Sequence, residues 1–101
     1  METIPAISPM GTLQDVLAAL SDPVRLEMVR RLAREGAPVA CADLYDSVSK
    51  STASHHFKVL REAGLTERLT VAGNTHQRLR LDDVEESYPG VLSSILAAPQ
   101  G

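Results

Sequence analysis

A chain of 101 residues is sized for one domain, and with 3% aromatic residues and no Trp its core has to be built from Leu, Val and Ala. At this length the core is marginal, so pairing with a second copy is favoured. The single Cys41 excludes an internal disulfide framework and points to a reducing compartment. No apolar run reaches membrane-spanning length and no basic segment precedes an apolar one at the N-terminus, so a cytoplasmic protein with no membrane partner is expected. The net charge of −3 runs against the basic balance usual in nucleic-acid binders, but it is unevenly spread. Residues 47–81 hold six cations against two carboxylates, a net +4, and all three His; the remainder holds four Arg against eleven acids, a net −7. One third of the chain is suited to phosphates while the rest repels them.

Residues 1–11 carry two Pro and a Gly without periodicity and read as a flexible arm ahead of a domain over 12–98. Thr12 can cap a first helix, with Leu13, Val16, Leu17 and Leu20 recurring at i, i+3, i+4 and i+7. Ser21-Asp22-Pro23 is a break and restart, Asp22 serving as N-cap and Pro23 as the first helical residue. The second helix runs to about Glu35 and stops at Gly36. Val24, Met28, Val29 and Leu32 form its inner arc, and Glu27, Arg30, Arg31 and Arg34 its outer one. Arg25 falls within the inner arc and needs a partner, either an ion pair or backbone carbonyls. Ala37-Pro38-Val39 reads as an extended link. Cys41–Val48 reads as a short third helix with Leu44 and Val48 inward, and Ser47–Ser51 as a tight turn.

The stretch KSTASHHFKVLREAGL, residues 50–65, reads as a helix with Gly64 as a left-handed stop and Leu65 as its hydrophobic contact. On a helical wheel Ala53, Phe57 and Leu60 share one face, flanked by Ala63 and His56, while Ser51, Ser54, His55 and Lys58 share the other. No carboxylate follows on that outer face before Glu62. Short hydroxyls, an imidazole and a cation make a face suited to acceptors and negative charge, as in a DNA groove. A short helix, a brief turn and such a helix together make a helix-turn-helix. After Leu65 the period becomes two. The turn Ala72-Gly73-Asn74 separates Leu65–Val71 from a second strand, Thr75–Leu81, with His76, Arg78 and Arg80 on one face and Leu79 and Leu81 on the other. Asp82 caps a last helical stretch interrupted by Pro89-Gly90, and Val91, Leu92, Ile95 and Leu96 form its apolar stripe. The fold class is therefore mainly α with a small β-hairpin.

The strings ALSDPVRLEMVRRL (19–32) and STASHHFKVLREAGLTE (51–67) and the turn VAGN resemble the bacterial ArsR, or arsenical-resistance repressor, family of winged helix-turn-helix regulators. The resemblance covers roughly residues 12–98. It implies a homodimeric repressor that binds double-stranded operator DNA and is released by a metal or another chemical signal, a small molecule or an oxidant. It also implies a dimer interface of the first and last helices, here Leu13, Val16, Leu17 and Leu20 with Val91, Leu92, Ile95 and Leu96. Base edges would meet Ser51, Ser54 and His55, with Lys50 and Lys58 near phosphates and Thr52 and Arg61 on the same helix. In the wing, Arg68, Asn74, His76, Arg78 and Arg80 are candidates for backbone or minor-groove contact. His56, nearer the core arc, reads as a structural imidazole.

The family's metal sites do not carry over. The arsenic-type string Cys-x-Cys-Asp-Leu aligns with Ala40-Cys41-Ala42-Asp43-Leu44, so both ligand positions are Ala and one thiolate cannot build a three-sulfur site. The zinc-type site needs His on the last helix, where this chain has Asp82, Asp83, Glu85 and Glu86, better read as dipole-favoured caps. Adjacent His55 and His56 point about 100° apart and cannot share one ion. No metal and no cofactor is expected, and Cys41 reads as a small buried apolar residue. No Ser-His-Asp arrangement, phosphate loop or metal cluster supports an enzyme. The competing reading is a winged-helix protein-interaction module that has lost DNA binding, which the net acidity favours and the outer face of residues 50–62 disfavours.

Overall fold

The computed structural model describes residues 9–99, so the arm reading of residues 1–8 lies outside the described residues. Helix α1 (Leu13–Leu20) starts at a capping box: Thr12 Oγ1 accepts from the Asp15 N–H and Asp15 Oδ2 accepts from the Thr12 N–H. Helix α2 (Pro23–Glu35) follows after Ser21-Asp22. Asp22 Oδ1 accepts from the N–H groups of Val24 at 2.8 Å and Arg25 at 3.1 Å. Burial pushes the Asp22 carboxyl up, but the N–H groups of Arg25 and Val24 and the nearby Arg25 guanidinium outweigh it and hold the group below its ordinary value. Gly36, at φ +63°, closes α2.

Helix α3 (Lys50–Glu62) is the central stretch of the sequence. It ends as expected: Gly64 has φ +89°, the Leu65 N–H reaches the Leu60 carbonyl at 3.0 Å, and Leu65 is fully buried. Its inner face buries Ala53, Phe57 and Leu60 against Val16, Met28, Val29 and Leu32. Each large side chain buried there stabilises the fold by about 1.5–3 kcal/mol.

Strands β2 (Thr66–Val71) and β3 (Asn74–Leu79) pair antiparallel from Thr66↔Leu79 to Val71↔Asn74. The two-residue loop places Ala72 at φ 51° and Gly73 at φ 82°, so both turn residues are left-handed. The link read as merely extended contributes a third strand, β1 (Val39–Ala40), which pairs with Gln77 and His76 and makes the sheet order β1-β3-β2.

Residues 41–48 differ from expectation. Only Cys41–Asp43 turns, as one 3₁₀ turn, and the rest is loop. No side chain caps the start of the segment, and β1 pairing holds the chain extended just before it. Leu44, 2% exposed, anchors the loop in the core, and Tyr45 meets Phe57 edge-on with ring centroids 6.2 Å apart. The C-terminal region forms α4 (Leu81–Ser87) and α5 (Val91–Ala97), split at Pro89-Gly90 as the sequence indicated. The N-cap of α4 is Arg80, not Asp82, and Leu81 lies in the helix rather than in the hairpin. Met10 and Gly11, read as the end of the arm, are docked: the Gly11 N–H donates to the Ala63 carbonyl at 3.0 Å and its carbonyl accepts from Tyr88 Oη at 2.6 Å.

Candidate nucleic-acid interface

The start of α3 is fixed by Ser49, whose Oγ accepts from the Thr52 N–H at 3.2 Å and shares hydrogen bonds with the hydroxyls of Ser51 and Thr52. The sequence reading placed Ser49 in the turn and missed it as the cap; the signal was a Ser immediately ahead of the periodic stretch. The outward face then runs Lys50, Ser51, Thr52, Ser54, His55 and Lys58, all exposed. Arg61 is half-buried at the far end.

Behind that face sits a clamp. The Arg25 guanidinium donates from Nε to the Ala19 carbonyl at 2.7 Å and from Nη1 to His56 Nδ1 at 3.0 Å, with a longer 3.4 Å contact from Nη2 to the Ala18 carbonyl. Of the two partners foreseen for Arg25 the carbonyls are the ones used. Because a guanidinium only donates, His56 Nδ1 must accept, so the ring proton sits on Nε2. His56, 8% exposed, thus ties α3 to the end of α1.

The hairpin brings up a mixed set. Arg68 and Asn74 are exposed. Arg78 is paired with Glu67 across β2 and β3, and half-buried His76 donates from Nδ1 to the Asn74 carbonyl at 3.2 Å. Arg80 does not belong to the wing surface: it is 8% exposed, and its Nε donates to Asp83 Oδ2 at 3.1 Å.

The residues assigned to a dimer interface divide. Val16, Leu20 and Leu92 are buried in the chain's own core. Leu13 and Leu17 stay exposed at 37% and 45%, and Val91, Ile95 and Leu96 are half-buried. The carboxylates of the last region cap the fold. Glu85 accepts from Ser93 Oγ and from the N–H groups of Gly90 and Ser93, which lowers its pKa below the ordinary value and caps α5 rather than α4. The outer arc of α2 is bound up as well. Arg31 pairs with Glu27 and Asp46 and donates to the Asp43 carbonyl, and Arg30 reaches the carbonyls of Leu96 and Ala98.

A helix-turn-helix domain family matches residues 20–68. An HTH-type transcriptional regulator of Bacillus subtilis, YceK, is 37% identical over 82 residues, 79% of this chain and 82% of its own length. The chain belongs to the ArsR-type winged helix-turn-helix transcriptional regulators. Their solved structures share the fold described above. An ArsR-like regulator from Rhodococcus sp. RHA1 superposes with a TM-score of 0.64 at 28% identity, over 74% of this chain and 71% of that one. The transcriptional repressor BigR from Xylella fastidiosa superposes with a TM-score of 0.59 at 24% identity, over 75% of this chain and 85% of that one. In ArsR-type terms α3 is the recognition helix and β2–β3 the wing. Membership makes transcription regulation the role of this family. No helix among the described residues is long and apolar enough to cross a membrane.

Proposed function

We infer that this regulator is a homodimeric, cytoplasmic repressor that reads its operator through the outer face of α3 and does so without the family's metal ligands. The observation that carries the reading is that face: Ser51, Ser54, His55 and Lys58 all stand in solvent, with the Arg25–His56 clamp fixing the helix from behind. Hydroxyl and imidazole groups presented this way can donate to or accept from base edges, each good pair discriminating by about 1–3 kcal/mol. Lys50, Lys58 and Arg68 supply phosphate contacts, and Asn74 at the wing tip reaches the flanking groove. The tie to Glu67 makes Arg78 a weaker contributor. Leu13 and Leu17, with the half-buried edge of Val91, Ile95 and Leu96, form the surface that joins two copies and sets half-sites about one helical turn apart. BigR, which shares the fold, is a transcriptional repressor. The absence of metal control rests on Ala40 and Ala42 at the arsenic-type ligand positions and on a last helix without His.

The test is fluorescence anisotropy against DNA from upstream of the protein's own gene, with a scrambled duplex as control and both titrated with salt. Selective binding with a steep salt slope is expected. His55→Ala and Lys58→Ala should each abolish selectivity or weaken affinity with the far-UV spectrum unchanged. Lys58→Ala should also reduce the salt slope by about one. Equal affinity for both duplexes, unaltered by either substitution, would favour the protein-interaction reading instead.

A further inference from the structure

Every lysine and arginine of the sequence lies within the described residues, and they fall into two groups. Arg25, Arg30, Arg31, Arg34, Arg78 and Arg80 are each held by a carboxylate, a carbonyl or an imidazole. Lys50, Lys58, Arg61 and Arg68 have no side-chain partner among the described residues. Three of these four border one cavity of about 270 Å³ between α3 and the wing. No carboxylate lines it. Ser54 and Thr75 add hydroxyls to its lining, together with Tyr45 and Gln77.

Cations left unpaired around a common concavity repel one another and gain whenever an anion enters. The donors here, two guanidinium forks, an ammonium and two hydroxyls, match the three oxygens of a phosphate dianion better than the two of a carboxylate. Gln77 also lines the cavity. It is 1% exposed, its amide nitrogen reaches Cys41 Sγ at 3.6 Å, and its amide oxygen is buried without a hydrogen-bond partner among the described residues. The volume lies at the small end for ligand pockets, which limits the body of the guest to a few atoms.

We propose that this cavity is a seat for a small phosphate-bearing molecule, and that filling it opposes DNA binding. The second half rests on the DNA-reading assignment above, because Lys50 and Ser54 belong both to the cavity and to the outer face of α3. A bound dianion withdraws those two groups from the operator and places negative charge where the DNA backbone must approach. This gives the regulator a chemical signal that needs neither a metal nor a second cysteine.

Inorganic phosphate is the probe. It is titrated into the protein at constant ionic strength, balanced with chloride, while amide and arginine side-chain resonances are followed by NMR and Cys41 alkylation by iodoacetamide is timed. Saturable shifts centred on Gln77, Arg61 and Arg68 are expected, with a Kd of about 1 mM or tighter, together with slowed alkylation of Cys41. Arg61→Gln and Arg68→Gln should each weaken phosphate at least about tenfold, one lost charge-assisted contact. Arg34→Gln, which removes the same charge from the far side of α2, should leave the titration unchanged. In the anisotropy assay phosphate should weaken operator binding beyond matched chloride in wild type but not in Arg68→Gln. Non-saturable shifts, or saturation indifferent to both cavity substitutions, overturn the seat. So does the pattern expected if only a DNA backbone phosphate docks there, namely no free-phosphate binding while Arg61→Gln and Arg68→Gln weaken DNA. Saturable, mutation-sensitive phosphate binding by a protein that binds no duplex would uphold the seat and sink the DNA reading.

Discussion

Arg25 should be the most costly charged residue to remove, although its guanidinium is held by carbonyls and an imidazole rather than by a carboxylate. Its two short donations, to the Ala19 carbonyl and to His56 Nδ1, are charge-assisted, and such bonds contribute about 1.5–3 kcal/mol each. Both acceptors are sequestered, Ala19 at 1% and His56 at 8% exposure, so Arg25→Met leaves them stranded rather than rehydrated. Taking the lower end of the range for each bond, because the guanidinium itself is half-exposed, gives a loss of about 3 kcal/mol. That is a large share of the 5–15 kcal/mol that holds a domain together, and for a chain of this size it lowers Tm by about 12–24 °C. Urea unfolding followed by circular dichroism measures it directly. Arg25→Lys should fall between, since an ammonium cannot span a carbonyl and an imidazole as a planar fork does. Arg34→Met, which breaks a solvent-exposed pair with Glu27, should cost under about 1 kcal/mol. An Arg25→Met midpoint within error of the Arg34→Met midpoint would refute the clamp.

Three further outcomes can be checked in the same unfolding assay. Ala72 adopts φ 51° without a glycine's freedom; Ala72→Asn should raise stability by about 0.5–1 kcal/mol, because asparagine ahead of glycine suits this turn and tolerates left-handed backbone. A Cβ on Gly11 would lie 2.8 Å from the Ala63 carbonyl oxygen, a backbone atom at the end of α3, so Gly11→Ala should cost about 1–3 kcal/mol, and a neutral result would mean that this crossing is loose. Glu85 is hydrogen-bonded to Ser93 and to the Gly90 N–H and titrates below its ordinary value of 4.5. The unfolded chain therefore takes up a proton first. The stability this group contributes is complete above that value and is lost as the pH falls through the lower, folded one. Glu85→Gln should flatten the acid limb of stability against pH and leave the neutral region nearly level, whereas an unchanged acid limb would assign the loss to Asp22 and Glu27, which are lowered too.

The features legible in the sequence were those written by local rules. The capped starts of α1 and α2, the stop at Gly64-Leu65 and the period-two hairpin each follow from a few consecutive residues, and α3 could be divided into inner and outer faces by spacing alone. Partners distant in the chain were not legible. Nothing near Val39 announces that it will pair with Gln77, and nothing near Arg30 announces the carbonyls of Leu96 and Ala98. Apolar spacing also could not separate core from interface. Val16, Leu17 and Leu20 lie on one side of α1, yet Val16 is fully buried and Leu17 is 45% exposed, a difference set by where α2 and α3 cross it. The same limit applies in the wing, where Arg78 and Arg80 look equivalent by alternation. The chain turns into α4 after Leu79, which carries Arg80 inward to Asp83.

The loop that replaces the expected third helix shows how a recognition helix can be presented without a regular partner. A helix in front of α3 normally fixes its angle through a packed face. Here the segment from 39 to 49 is pinned at intervals instead: β1 pairs with β3 at one end, Leu44 fills the core in the middle, and Arg31 of α2 holds the Asp43 carbonyl and the Asp46 carboxylate. Each pin belongs to a different element, so the start of α3 is referenced to the sheet, the core and α2 at once. Arg31 is the pin that can be removed without opening the core. If the strap sets the helix angle, Arg31→Met should weaken operator binding more than it destabilises the fold. Truncating Leu44 should lower both together, because it empties a packed site at a cost of about 2–5 kcal/mol. Loss of affinity strictly proportional to loss of stability in Arg31→Met would mean that α3 is oriented from behind by Arg25 and His56 alone.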